Sequence, residues 1–369
     1  MKKILFVFGT RPEVIKLSPL IIEMRKSPQF YDVRICNTEQ QKELSNQTLE
    51  YFGLKSDYNL DCMRENQTLT EVQARILTKL DELFQKEKFD AVVVQGDTIT
   101  VLSGTLAAFY NKIPVYHVEA GLRSYNLSEP YPEEAVRQMV SRISDLNFCP
   151  TEANKLALLK ENVPLEKIFI TGNTVIDALF CLTDETIEKA KRFWTDKGIV
   201  VGENTVLITV HRRENHGRLD SIISAIKFLA QKYNNHLFII PVHPNPNVKH
   251  KIYSELSGID NIKLLEPLDY PNLVYIMKNA KLILTDSGGI QEEAPTFGCP
   301  VIVMRYETER KEGIDAGVST LVGADYSKIV LESEKILSLP KEKSRLSAQN
   351  PYGNGKSAQI IEQIIRERI

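Results

Sequence analysis

The sequence predicts an α/β protein with two doubly wound parallel sheets, and three observations carry that prediction. At 369 residues the chain is about two to three times the usual single-domain length, so two cores are expected. Short β-branched apolar runs alternate with longer stretches of helical spacing along the chain. Most of those runs are apolar at successive positions instead of every other one, the mark of parallel strands covered on both faces.

The first run, residues 4–8, follows Met1-Lys2-Lys3 and resembles the start of a secretory leader. Gly9-Thr10-Arg11-Pro12-Glu13 interrupts it too early, so it reads as a first strand. Residues 33–36, 91–95, 115–118, 147–149 and 168–171 continue the strand set, while 19–25, 69–84, 100–110 and 133–143 have helical spacing. The alternation restarts after Gly172-Asn173-Thr174, with a helical stretch at 175–194 and strands at 205–210, 237–242, 262–265, 282–285 and 301–304. A domain boundary is therefore expected near residue 170. Pro351-Tyr352-Gly353-Asn354-Gly355 then precedes a helix at 357–369, whose Ile360, Ile361, Ile364 and Ile365 form a stripe that has to dock. Ligands of such sheets bind beyond the carboxyl ends of the strands, so a cleft between two such domains is the expected site.

Composition narrows the function. Hydrophobic residues make up 43% and charged residues 25%, the balance of a soluble globular protein. Forty-six Lys and Arg against 48 Asp and Glu leave a net charge of −2, so the whole-molecule field attracts neither nucleic acid nor an anionic membrane. No apolar run approaches membrane-spanning length. The five cysteines (Cys36, Cys62, Cys149, Cys181 and Cys299) are odd in number and scattered, without a Cys-x-x-Cys pair. They form neither a disulfide framework nor a zinc site and suit a reducing cytoplasm.

The informative residues are polar ones directly after strands. Gly9-Thr10-Arg11-Pro12-Glu13-Val14-Ile15-Lys16 has one glycine, two cations and a proline suited to a helix's first turn. It lacks both the Gly-x-Gly-x-x-Gly dinucleotide fingerprint and the Gly-Lys-Ser/Thr of a P-loop, which disfavours nicotinamide or ATP chemistry. Asp286-Ser287-Gly288-Gly289-Ile290-Gln291-Glu292-Glu293 follows the strand at 282–285 and opens a helix. Its small residues let backbone amides approach a diphosphate, with Glu293 placed to accept from a ribose diol. A plain helix capped by Asp286 or Ser287 is the equal alternative.

Three carboxylates share the first half: Asp97 in Gln95-Gly96-Asp97-Thr98, Glu119 in His117-Val118-Glu119-Ala120-Gly121, and Glu133 in Tyr131-Pro132-Glu133-Glu134. Converging carboxylates and desolvation raise proton affinity, so such a set can do acid/base work near neutral pH. Capping and loop hydrogen bonding compete with that reading, most seriously for Asp97. In the second half His211, flanked by Arg212 and Arg213, can protonate or steady a leaving phosphate, and His243 in Pro241-Val242-His243-Pro244 is similarly placed. His117, His216, His236 and His250 read as structural. No His/Asp/Glu group has clear metal-ligand spacing, and Ser103 and Ser287 lack a nucleophile elbow.

Together these motifs resemble the non-hydrolysing UDP-N-acetylglucosamine 2-epimerases. The resemblance rests on Gly-Thr-Arg-Pro-Glu-Val-Ile-Lys at 9–16, Gln-Gly-Asp-Thr at 95–98, Val-Glu-Ala-Gly-Leu-Arg at 118–123 and Pro-Glu-Glu at 132–134. It continues through Phe-Cys-Pro-Thr-Glu at 148–152, Gly-Asn-Thr-Val-Ile-Asp at 172–177, His-Arg-Arg-Glu at 211–214, Asp-Ser-Gly-Gly-Ile-Gln-Glu-Glu-Ala-Pro at 286–295 and Thr-Glu-Arg at 308–310.

It implies a glycosyltransferase-B-like fold of two Rossmann-like domains facing across a cleft. Residues 1–170 with the returning helix 357–369 would carry the acid/base residues, and 171–356 would bind UDP. It also implies a cytoplasmic homodimer without a cofactor, making precursors of cell-surface polysaccharide by interconverting UDP-GlcNAc and UDP-ManNAc. The route eliminates UDP across C1–C2 to a 2-acetamidoglucal and adds it back.

Carried over by position, Asp97, Glu119 and Glu133 are the acid/base set, with His211 assisting the leaving phosphate. Arg11, Lys16, His243, Ser287, Gly288, Gly289 and Arg310 fall on substrate and UDP contacts, and Glu293 on the ribose. The chain departs from the family pattern at four places. Thr38-Glu39-Gln40-Gln41 stands for the usual Thr-Gly-Gln-His, a loop that in many bacterial members lines a second, activating sugar-nucleotide site. Val136 stands for an asparagine beside the acid/base set, Leu273 for an aromatic near the uracil, and Lys311 for a proline. A modified substrate, such as a diacetamido uronic acid or 6-deoxy amino sugar, therefore stays open. So do a glycosyltransferase of the same architecture and a non-catalytic sugar-nucleotide sensor.

Overall fold

The computed structural model describes all residues except Leu182 and the side chains of Arg213, His216, Lys341 and Glu342. The expectations for Arg213 and His216, and Leu182 within the expected helix 175–194, thus lie outside the described residues. The chain divides into two units, Met1–Cys181 with Tyr352–Ile369, and Leu182–Pro351.

The first unit contains β1 (Lys2–Phe8), α1 (Arg11–Arg25), β2 (Tyr31–Asn37), α2 (Lys42–Tyr51), β3 (Tyr58–Asn59), α3 (Leu69–Lys86), β4 (Ala91–Gln95) and α4 (Ile99–Tyr110). It continues with β5 (Val115–Val118), α5 (Glu133–Ile143), β6 (Leu146–Cys149), α6 (Glu152–Lys160), β7 (Ile168–Ile170) and α7 (Thr174–Phe180). The strands form a seven-stranded sheet in the order β3-β2-β1-β4-β5-β6-β7, all pairings parallel.

Strand β1 shows why both faces are covered. Ile4, Phe6 and Phe8 pack with Val14, Leu17 and Ile21 of α1, while Leu5 and Val7 pack with Ile76 and Leu80 of α3 and Val101 of α4. A period-two strand with apolar residues at both phases needs a helical layer on each side.

The second unit runs α8 (Asp184–Asp196), β8 (Thr205–Thr209), α9 (Leu219–Lys232), β9 (Leu237–Pro241), α10 (Pro246–Leu256), β10 (Ile262–Leu265), α11 (Tyr270–Asn279) and β11 (Leu282–Thr285). Then follow α12 (Gly288–Glu293), β12 (Val301–Val303), α13 (Lys311–Asp315), β13 (Ser319–Leu321), α14 (Tyr326–Leu337) and the short α15 (Lys341–Ser344). Its six-stranded parallel sheet has the order β10-β9-β8-β11-β12-β13. The chain then re-enters the first unit as α16 (Ser357–Arg368). Both sheets are doubly wound as expected, and strand order reverses at β1/β4 and at β8/β11. Loops diverge at those points and leave room for ligands.

Several expected boundaries change. Helix α1 starts at Arg11, not at residue 19, because Pro12 takes the first-turn position where a missing N–H costs nothing, and Pro19 is carried inside the helix. The stretch 175–194 is two helices, with Thr183 capping α8 through Thr186 N at 3.2 Å. Helix α7 packs on α1 and α16, so the first unit extends beyond residue 170 to Cys181. Ile361 and Ile365 of α16 are fully buried against the α1 layer, worth about 1.5–3 kcal/mol each. Ile360 stays exposed. Among the described residues, no helix is long and apolar enough to cross a membrane.

Candidate active site

At the carboxyl end of β1, Gly9 is obligatory: a Cβ there would stand 2.0 Å from Thr38 Oγ1. Glu13, one turn into α1, folds back to accept from Gly9 N at 2.8 Å and Thr10 N at 2.7 Å, and Thr98 Oγ1 donates to it at 2.6 Å. Burial raises the proton affinity of this carboxyl, and those donors oppose the effect. Glu13 thus pins the loop carrying Arg11 to the loop carrying Asp97. Arg11 opens α1, its backbone N–H donating to Gln41 Oε1 at 3.0 Å.

Glu119 directly follows β5, buried, with φ of 64°, a left-handed conformation that costs a non-glycine residue about 1–3 kcal/mol. Its carboxylate is held from three sides. Lys16 of α1 and Gln95 of β4 donate to it, and Asn173 Nδ2, at the start of α7, donates to Oε1 at 3.2 Å. Lys16 is therefore an ion-pair partner of Glu119.

Asp97 lies two residues after Gln95, which pairs with Val118 immediately before Glu119, so the two acids come from the ends of neighbouring strands. Arg137 Nε donates to Asp97 Oδ2 at 2.8 Å, and its Nη1 lies 3.4 Å from Glu134 Oε2. Arg137 is one turn beyond Glu133 on α5, so a single helix face presents Glu133 and anchors Asp97. Glu133 Oε2 is buried with no hydrogen-bond partner among the described residues. Glu134 instead orders the preceding loop, accepting from Ser124 N at 2.8 Å and Tyr125 N at 3.2 Å. Burial pulls its carboxyl upward, but these donors, Gln138 and Arg137 outweigh it and hold the group below the ordinary range. Asp97 faces Arg137 and Glu119 faces Lys16, so each of these two acids sits beside a cation.

His117 is structural, as expected. Its Nε2 donates to Gly96 O at 2.8 Å, and burial pushes the imidazole down to about 4. Since the unfolded value is about 6.5, the unfolded chain binds the extra proton between those limits. Stability is then complete above about pH 6.5 and falls as pH drops toward 4, by at most about 3 kcal/mol from this group. His236 in the second unit, also depressed to about 4 by burial and then by Lys281, adds to the same window. Urea midpoints should decline across that range, and His117→Gln should flatten the decline; an unchanged slope contradicts the assignment.

In the second unit Asp286 is the organiser. Fully buried after β11, it accepts from Arg212 N at 2.9 Å and Asn215 Nδ2 at 3.0 Å, and from His211 N at 3.0 and 3.1 Å. His211 Nδ1 lies 2.8 Å from its Oδ1. Burial alone would raise the Asp286 carboxyl, but His211 and the backbone donors hold it below the usual value. Asp286 is therefore no helix cap; Ser287 takes the N-cap position without a side-chain capping bond. The His211 and His243 rings stack with centroids 6.1 Å apart, so two residues from different strand ends meet.

Arg310 lies over Gly288, where a Cβ would stand 2.8 Å from Cζ, whereas a Cβ on Gly289 would enter open space. Arg310 pairs with Glu292 at 3.0 Å and Glu309 at 3.2 Å. Burial, then Arg305 and Arg310, lowers the Arg212 guanidinium's hold on its proton, while Glu309 and Asp286 oppose the effect. Glu293 is buried and accepts from Tyr270 OH at 2.9 Å.

A family model described as UDP-N-acetylglucosamine 2-epimerase matches residues 23–366. The chain belongs to that epimerase family. The UDP-N-acetylglucosamine 2-epimerase of Yersinia pestis is 45% identical over 97% of this chain and 97% of its own. A crystal structure of UDP-GlcNAc 2-epimerase from Neisseria meningitidis bound to UDP-GlcNAc has 43% identity and a TM-score of 0.90, covering 99% of this chain and 100% of that one. The Methanocaldococcus jannaschii enzyme in complex with UDP-GlcNAc and UDP matches at 36% identity and TM-score 0.85, covering 100% of both chains. These likenesses carry the expected glycosyltransferase-B-like class of two Rossmann-like domains.

Within this epimerase, the departures have local explanations. Glu39 keeps φ at 60° where the family pattern has glycine, with Lys42 Nζ 3.2 Å from its carboxylate. Gln40 Oε1 accepts from Thr100 Oγ1 at 2.9 Å. Val136 is buried in the apolar core with Val140, one turn on. Leu273 is half-buried on α11, one turn past Tyr270. The epimerase residues missed in the sequence are Arg137, Asn173 as a donor, and Asp286 as an anchor. Only Arg137 left a usable trace, its one-turn spacing from Glu133.

Proposed function

We propose that the chain interconverts UDP-GlcNAc and UDP-ManNAc by eliminating UDP across C1–C2 to a 2-acetamidoglucal, then adding UDP back at C1 with the proton delivered to the other face of C2. The supporting observation is the buried Glu119 carboxylate, held on a left-handed backbone by Lys16, Gln95 and Asn173 in a member of this family. The C2 proton of the sugar has no neighbouring carbonyl, so simple deprotonation near neutral pH is too slow. Elimination supplies the driving force by letting the diphosphate leave as the proton is removed.

In this reading Asp97, Glu119 and Glu133 exchange protons with C2. His211, held through Nδ1 by Asp286, turns Nε2 to the departing phosphate. Arg11, His243, Ser287, Gly288, Gly289 and Arg310 bind the diphosphate and nucleotide, Glu293 accepts from the ribose, and Lys16 keeps Glu119 placed. In this reading the first unit carries the proton chemistry and Arg11, and the second the remaining UDP contacts. Family resemblance further supports a cytoplasmic homodimer supplying cell-surface polysaccharide synthesis.

The test is incubation with UDP-GlcNAc alone in D2O, followed by NMR. Deuterium at C2 with formation of UDP-ManNAc is expected. Exchange confined to a modified UDP-amino sugar in the same panel overturns the substrate, and inertness until an acceptor is added overturns the reaction in favour of glycosyl transfer.

A further inference from the structure

Asn173 ties three parts of the chain together where it leaves the first sheet, and it is 2% exposed. Its Oδ1 accepts from Val175 N at 3.0 Å, capping α7. Its backbone N–H donates to Tyr352 O at 2.7 Å on the returning segment. Its Nδ2 donates to Glu119 Oε1 at 3.2 Å. The surroundings leave little freedom. A Cβ on Gly172, at φ 81°, would stand 2.6 Å from Ser357 Oγ, and Ala358 N donates to Asp177 Oδ1 at 2.8 Å. The outgoing and returning segments are thus locked together, with the Asn173 amide fixed between that junction and the acid.

We propose that Asn173 is a positioning residue for Glu119, setting the direction of its carboxylate by anchoring it to the junction of the two chain segments. This rests on the reading of Glu119 as a proton-transfer group. Capping needs only an acceptor, which serine and aspartate supply equally. The donor toward Glu119 is specific to the amide, so capping and positioning separate by substitution. Asn173→Ser keeps an acceptor for the cap and removes the longer amide N–H that reaches Glu119. Asn173→Asp keeps the shape and the cap but turns an anion toward Glu119.

Both variants are expected to keep the KM for UDP-GlcNAc; Asn173→Ser should melt near the wild-type temperature and Asn173→Asp lower, because it sets a second buried carboxylate against Glu119. Asn173→Ser should lose about tenfold or more in kcat, and Asn173→Asp more, because small misplacement of a reacting group is costly. In a double-mutant cycle, adding Asn173→Ser to Glu119→Gln should cost no further rate, since the amide acts only through the carboxylate. Wild-type kcat in Asn173→Ser, or a loss that multiplies fully with that of Glu119→Gln, overturns the proposal. Should the serine variant fail to fold, Asn173→Asp decides on the same kcat and KM criteria. Glu119→Gln at the wild-type rate would instead sink the reading of Glu119 itself, so the two failures are distinguishable.

Discussion

Glu119→Gln, Asp97→Asn and Glu133→Gln are each expected to cut turnover by about 100-fold or more, the usual worth of positioned proton transfer, while UDP affinity changes little. The substitutions are nearly isosteric, so the loss should fall on kcat. The environments differ: Glu119 and Asp97 have cationic partners in Lys16 and Arg137, whereas Glu133 Oε2 is buried with no hydrogen-bond partner among the described residues. Glu119→Gln also replaces an acceptor-only group with an amide that cannot satisfy both Lys16 and Gln95. Steady-state kinetics with isothermal UDP titration separates the terms. Wild-type rates in all three variants would remove the acid/base assignment.

Asp286→Ala should be the most damaging change in the second unit, costing about 3–5 kcal/mol of stability, as expected when a fully buried, multiply bonded charge is deleted. It would strand the His211 and Arg212 amides and the Asn215 side chain in a buried loop. The His211 ring would lose its Nδ1 partner, so the residual folded fraction should also turn over slowly. Asp286→Asn should be milder, because one carbonyl oxygen still faces the two amides. Urea unfolding followed by fluorescence measures the first effect, and an alanine variant as stable as wild type would refute it.

The sheets and most of the candidate site were legible because β-branched runs mark strand ends, and a polar residue just beyond an end has few other reasons to be there. That logic found Asp97, Glu119, His211 and the Asp286 loop. It failed where the information is not local. Lys16 and Glu119 are 103 residues apart in sequence, and no periodicity in one chain reveals such a pair. The edge strands β3 and β13, of two and three residues, are too short to show alternation.

Helix α16 completes the first unit's apolar layer yet is synthesised after all of the second. On the ribosome, the layer that receives Ile361 and Ile365 must therefore wait, incomplete, while some 170 residues fold downstream, whereas the second unit can close as soon as its own strands emerge. The order of maturation is then the reverse of the order of translation. A nascent chain stalled before α16 would present that unfinished apolar patch to chaperones.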